Sequence, residues 1–163
     1  MPLLVPMLVC WKIVIFVISI KKAIMGLVYA DIELINAVDL ENARRHIIGE
    51  EEIKRMRLSV LADSGAYMMA INETIQSQLE LPFVENRKAV MADGRIKEFM
   101  VVGPVMVKFA NRTAVCNAYV LDDNNEPLLG AIPMEELDVM IHPLRQELIV
   151  NPEHPNYAVL KMK

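Results

Sequence analysis

The sequence predicts an all-β domain, a small barrel of short strands with one or two short helices. Three observations predict it. Short apolar stretches recur from Leu27 onward with turn residues between them, the signature of a compact β fold. The 163 residues are one domain's worth, enough for a single core and too few for two ordinary catalytic lobes. Hydrophobic residues make up 54% and charged residues 23%, which excludes a disordered chain. There is no internal repeat and no low-complexity segment.

Residues 1–24 form a separate hydrophobic segment, and residues 25–163 the domain. From Pro2 to Ile20 the chain is almost wholly apolar, interrupted by Cys10 and the pair Trp11-Lys12, and it ends in Lys21 and Lys22. About 20 apolar residues span a bilayer as a helix. Lys12 near the middle opposes this, at a cost of about 2.5–3.5 kcal/mol. The charges follow the apolar run and no small-residue cleavage site appears, unlike a secretory signal. Three readings stay open: a membrane anchor through residues 2–20, a dispensable extension before Met25-Gly26, and a folded strand. As an anchor, its lysines would keep the domain in the cytoplasm.

Val28 to Ile35 alternates apolar and polar residues, the period of a half-buried strand. Asp39 to Arg57 is densely charged and reads as a solvated loop or short helix. Met56 to Leu61 is a strand running into Asp63-Ser64-Gly65. Asn72 offers an N-cap for a short helix through about Leu79, with Glu73 in its first turn. Lys88 to Met91 and Ile96 to Val102 flank Asp93-Gly94, a hairpin signal. Gly103-Pro104 is expected to break that run. Val105 to Phe109 and Ala114 to Leu121 read as a strand pair around Asn111-Arg112. Asp122 to Pro127 is a polar turn. Leu128-Leu129-Gly130 leads into a helical stretch over Met134 to Val139, with Glu135 and Glu136 taken as its first turn. Glu147 to Val150 is a last strand before a tail at Asn151-Pro152.

Charge and composition narrow the chemistry. The net charge is -4 and no basic block stands out, so nucleic acid is not an expected partner. Cys10 and Cys116 lie far apart without a CxxC pattern, and His46, His142 and His154 follow no ligand spacing. No disulfide framework, metal site or cofactor is expected. Met68, Met69 and Met134 read as core fillers, Cys116 as a buried small hydrophobe, and His142 beside Pro143 as a turn residue.

One run carries a chemical suggestion. Asp63-Ser64-Gly65-Ala66 places an acid at the end of an apolar strand, before a glycine that permits a sharp turn. Alone, such a tetrapeptide is more often a simple turn. Yet residues 28 to about 156 resemble the retropepsin-like aspartic peptidases, in particular the small single-lobe bacterial group. Leu58 to Ala66 resembles the family's catalytic strand and turn. Val90-Met91-Ala92-Asp93-Gly94 resembles the strand entering the flap hairpin, and Gly103-Pro104-Val105 and Asn111-Arg112 sit where the sheet continues. Leu128 to Glu135 resembles the segment before the C-terminal helix. The ordered pair of Asp-Ser-Gly-Ala and Leu-Leu-Gly, about 65 residues apart, is far more specific than either alone. Ala62 replaces the common Val or Leu, and Ser64 the frequent Thr; neither removes a needed group.

The resemblance implies a closed barrel of the retroviral and pepsin-like type, acting as a homodimeric aspartic endopeptidase on a peptide or protein substrate. Asp63 would be the catalytic carboxylate, with Ser64, Gly65 and Ala66 supporting the turn. Two carboxylates sharing one proton would activate water and polarise the scissile carbonyl. The chain offers one such acid, so the second must come from another copy on a two-fold axis. Val28–Ile35 and Glu147–Val150 are the expected strands closing the dimer. Ala92, Asp93 and Gly94 would cover the peptide as a flap, against the simpler reading of a bare hairpin turn. Two other functions remain: a catalytically silent peptide-binding or dimerisation module, and a membrane-tethered structural domain.

Overall fold

The computed structural model of the protein describes residues 26–91 and 93–160. The apolar segment with its lysines and Ala92 of the hairpin lie outside the described residues. Among the described residues, no helix is long and apolar enough to cross a membrane.

The chain is mostly β. Its strands are β1 (Val28–Asn36), β2 (Arg55–Ala62), β3 (Met69–Asn72), β4 (Phe83–Val90), β5 (Ile96–Phe109), β6 (Arg112–Leu121), β7 (Leu128–Leu129), β8 (Val139–His142) and β9 (Glu147–Val150). They form one sheet in the order β4-β5-β6-β3-β7-β2-β1-β9-β8, and β5 also pairs with β1, which bends the sheet into a partial ring. Three short α-helices accompany it, where one or two were expected: α1 (Ala37–Arg44), α2 (Glu73–Leu79) and α3 (Ala131–Glu136). The additional helix, α1, occupies the densely charged stretch, followed by a 3-10 turn at Glu50–Glu52.

Alternation makes β1 what the pattern predicts. Val28, Ala30, Ile32 and Leu34 are buried against the core, while Tyr29 and Asp31 face outward. The strand stops at Asn36, whose buried side chain binds in two directions. Its Oδ1 accepts the N–H groups of Val38 and Asp39 at 3.0 and 3.2 Å, capping α1. Its Nδ2 donates to the carbonyls of Leu79 and Glu80, tying α1 to the end of α2. Helix α2 starts as expected, with Asn72 Oδ1 accepting the Ile75 N–H at 3.0 Å. Ile75 and Leu79 bury its inner face.

Gly103-Pro104 does not break the chain; β5 runs through it with a register shift against β6 between Val102 and Val105. Gly103 sits at φ +150°, and a Cβ there would lie 2.4 Å from Asn117 Oδ1. Only glycine fits that position. The bulge turns β5, so its first half pairs with β4 and its second half with β1. The hairpin strand β4 is also longer than expected, reaching back to Phe83.

The last helix lies earlier than expected. It spans Ala131–Glu136, and Val139 opens β8 instead of closing the helix. Pro133 is tolerated because it sits in the first turn, where its missing N–H has no helical acceptor. The Leu137 and Asp138 N–H groups close on Pro133 and Glu135, and Asp138 at φ 51° turns the chain away. Glu135 and Glu136 are therefore in the last turn, and the macrodipole does not explain them. Glu136 instead accepts the Val115 N–H at 3.3 Å.

The main core includes Leu34, Val60, Met69, Ile71, Leu129 and Leu137, each at most 1% exposed. Burying a side chain of this size contributes about 1.5–3 kcal/mol. Met69 and Met134 join that core; Met68 does not, being half-buried on a cavity wall. Cys116 packs at the core's edge, and burial pushes its thiol up to about 12. His142 ends β8, paired with Glu147, and is not itself in the turn as expected; its Nδ1 accepts the Arg145 N–H of that turn at 3.3 Å.

The two strands expected to close a dimer are both used within the chain. β1 has β2 along one side and β9 and β5 along the other, and β9 lies between β1 and β8. Among the described residues the open edge at this end of the sheet is β8.

Candidate functional site

The two sequence motifs, so far apart in the chain, are hydrogen-bonded neighbours. β2 and β7 run parallel, with Leu61 beside Leu128 and Ala62 beside Leu129. The Leu61 N–H donates to the Pro127 carbonyl and the Asp63 N–H to the Leu129 carbonyl, both at 3.0 Å. Beyond them the chain of Gly130 crosses the turn that Asp63 begins. The Ala131 N–H donates to Ala66 O at 2.8 Å and the Ile132 N–H to Tyr67 O at 3.1 Å. A Cβ on Gly130 would lie 2.3 Å from Met68 O and 2.9 Å from Ala66 O. The glycine is thus required by close backbone approach, not by its ordinary extended conformation.

This crossing fixes Asp63. Its carbonyl accepts the Ala66 N–H at 3.1 Å, which closes the turn. Its Oδ1 accepts the Gly65 N–H at 2.8 Å, and a Cβ on Gly65 would press to 3.1 Å from that oxygen. Among the described residues Oδ2 has no hydrogen-bond partner, and the side chain is only partly exposed. An aimed carboxylate with one oxygen held by its own turn and one left open can accept a proton, or share one with a second acid.

Two hollows flank the turn that Asp63 begins. One is a cavity of about 640 Å³ lined by Gly65 and Ala66 on the turn side, by Ala89, Met91 and Phe99 on the hairpin and by Tyr119 of β6. It runs unbroken from the Asp63 turn to the β4–β5 hairpin. The other, of about 260 Å³, is lined by Ser64, Ala131, Met134, Glu135, Val139 and Ile141. Ser64 is exposed there, between the turn and β8.

The hairpin tip is a closed turn of its own. Met91 and Arg95 are joined by the Met91 N–H to the Arg95 carbonyl, and Gly94, at φ +80°, donates back to Met91 O, both at 2.8 Å. Asp93 Oδ1 accepts the Arg95 N–H and Oδ2 its guanidinium, at 3.0 and 2.5 Å. The Arg95 amide, then its guanidinium, holds the Asp93 carboxyl below its usual range. Asp93 and Gly94 build the turn; neither lines the cavity.

Sequence reasoning did not find the cavity's aromatic wall. Phe99 and Tyr119 meet edge to face at 5.8 Å between ring centroids, and Tyr67 stands 70% exposed beside the turn. An exposed aromatic directly after the Asp63–Ala66 run was the available signal. The turn over Asp122–Pro127 closes the end of the cavity through Asn125. It is pinned by Asp123 Oδ1, which accepts the Thr74 N–H, and by Glu126, which accepts the Tyr29 hydroxyl.

Among the described residues no group of three metal-ligating side chains comes together. No protein-family model matches the chain, and no curated protein does.

Proposed function

We propose that the chain is a retropepsin-like aspartic endopeptidase whose active site forms when two copies bring their Asp63 carboxylates together. The observation that carries this reading is the half-held carboxylate: Asp63, fixed by the Gly65 N–H and the Gly130 crossing, in a turn whose Gly65 and Ala66 line a cavity that reaches a β hairpin. In the paired site the two open oxygens would face one another across a shared proton. Like charges at that distance resist double ionisation, so one acid stays protonated to polarise the peptide carbonyl while the other takes a proton from water. The hairpin β4–β5 would cover an extended peptide and exclude bulk water.

The hollow beside Ser64 and the open edge of β8 support a second copy as the partner. Met140 on β8 is 45% exposed and Leu144 in the following turn 91%. An apolar edge next to the one candidate acid suits a two-fold contact, in which the same patch meets itself. Ser64 would then hydrogen-bond across the axis beneath the carboxylates. This replaces the terminal strands as the expected dimer contact.

The test is hydrolysis of a peptide library by the full chain, with and without a statine-type inhibitor, followed by sedimentation over the same concentrations. Cleavage that the inhibitor blocks, and whose rate per chain falls as the dimer dilutes apart, is the expected result. Adding excess Asp63→Asn chain should poison the wild type, because mixed dimers carry one acid. Full specific activity from a species sedimenting as a monomer would overturn the two-copy site.

A further inference from the structure

The protein carries a net charge of -4, yet the charged residues lining the cavity beside Asp63 are both basic, Lys88 and Lys97. A second hollow of about 420 Å³ adjoins it at the hairpin tip, sharing Met91 and Lys97, and the further charged residue there is Arg95. Among the described residues no carboxylate lines either hollow. The three cations differ in how far they are neutralised. Arg95 is bound to Asp93. Lys88 makes no ion pair among the described residues, not even with its cross-strand neighbour Glu98. Lys97 lies between the two hollows, 5.1 Å over the Phe99 ring and 3.3 Å from Asp122 Oδ2. Lys97 and Asp122 are half or more exposed, and such pairs are worth little in water. A carboxylate arriving in the cavity can therefore displace Asp122 without a large loss.

Beside this cation the wall is apolar. Phe99 and Tyr119 stand edge to face, and Leu121, Leu128 and Met68 line the same cavity. We propose that the cavity selects peptide segments in which an acidic residue neighbours a large apolar one, and that Lys97 is the specificity-determining residue. The apolar side chain enters against Phe99 and Tyr119, and the neighbouring carboxylate meets the Lys97 ammonium at the rim. The inference rests on the peptidase reading for the identity of the groove, and its test is kept separate by measuring binding as well as cleavage.

The full-length Asp63→Asn chain is titrated with labelled octapeptides that hold one central Phe and carry Glu, Gln or Lys scanned through the flanking positions. At one or more flanking positions, Glu should bind about two- to fivefold tighter than Gln and Lys correspondingly weaker, the range of a screened surface pair. The preference should shrink with added salt. In Lys97→Met, which keeps the stem over Phe99, Glu and Gln peptides should bind equally, and in Lys97→Glu the Lys peptides should become the tighter set. Equal binding of all three in the Asp63→Asn parent, or an acidic preference that survives Lys97→Glu, overturns the proposal while leaving the peptidase reading intact. Wild-type cleavage of the same peptides tests that reading on its own. Binding of none of them, together with no cleavage, overturns both.

Discussion

Asp63 and Asp138 are two carboxylates at opposite ends of helix α3's surroundings, and the protein treats them differently. Asp138 is saturated. Its Oδ1 accepts from Asn151 Nδ2 at 2.9 Å, and its Oδ2 meets the Val159 N–H at 3.0 Å and His154 Nδ1 at 2.7 Å. The Val159 amide, then Asn151 and His154, hold its carboxyl down to about 2. It works as a fastener, folding the tail beyond Asn151 back on the domain, where the buried Arg112 guanidinium also donates to the His154 carbonyl. Among the described residues the Asp63 carboxylate accepts one hydrogen bond, and that from its own turn. Its position comes from backbone, through Leu129 and the Gly130 crossing, so the side chain keeps an oxygen for other work. A carboxylate that holds structure uses its acceptors; one that is held by structure can spare them.

The largest expected effect breaks that contrast at Asp63. Asp63→Asn keeps the size and the Gly65 contact but can neither share a proton nor act as a base. Hydrolysis should fall at least about 10³-fold, within the range attributed to general acid–base groups. Urea unfolding should keep its midpoint within about 0.5 kcal/mol equivalent, as for substitutions outside packed interactions. A folded Asp63→Asn protein that still cleaves at the wild-type rate removes the acid from the mechanism.

Next in size is the crossing that holds the acid. Gly130→Ala drives a Cβ into two backbone carbonyls, which cannot swing aside like a side chain. It should cost about 1–3 kcal/mol, the range for overpacking, and toward the upper end. Gly94→Ala makes the opposite case: nothing lies within 4 Å of the added atom, and only the left-handed backbone is strained. That should cost about 1–2 kcal/mol. Urea midpoints of the two variants give the order directly. A larger loss from Gly94→Ala would mean that the hairpin, not the crossing, carries more of the stability.

Those two glycines also show what the sequence could reveal. Gly94 is legible because Asp-Gly between apolar runs is a turn signal set by local conformation. Gly130 has ordinary dihedrals, and its need arises from a chain segment far away in sequence, so only the resemblance pointed to it. β1, α2 and β9 were legible for the same local reason: alternation, or a cap, acts on neighbouring residues. The shift of α3 to Ala131–Glu136 was not, because Pro133 reads equally as a breaker or as a first-turn residue. Gly103-Pro104 misled in the same way, since a bulge inside a long strand and a strand end share their residues. Of the candidate site, Asp63, Gly65 and Ala66 were legible as a run; the aromatic wall of Phe99 and Tyr119 needs β5 and β6 to be paired before it exists.

The smallest expected effect is at Asp138, and it sharpens the comparison through pH. A carboxyl held near 2 when folded and at its ordinary value of 3.8 when unfolded binds fewer protons in the folded state between those limits. Its contribution to stability is therefore complete above about pH 4 and is lost as the pH falls toward 2. The loss should be local, since the contacts concerned fasten the tail and not the core. Amide exchange of Val159, whose N–H Asp138 accepts, should stay slow from neutral pH to about 4 and speed up below it, after correction for intrinsic exchange rates. Buried β1 amides such as Leu34 should hold their protection longer through the same titration. In Asp138→Asn the amide has no charge to lose and turns a donor toward the Asn151 or His154 side. Val159 should then exchange faster at neutral pH, with no further change across the acid window. If Val159 and Leu34 lost protection together in the wild type, the tail and core would unfold as one unit, and Asp138 would be a core fastening and not a local one.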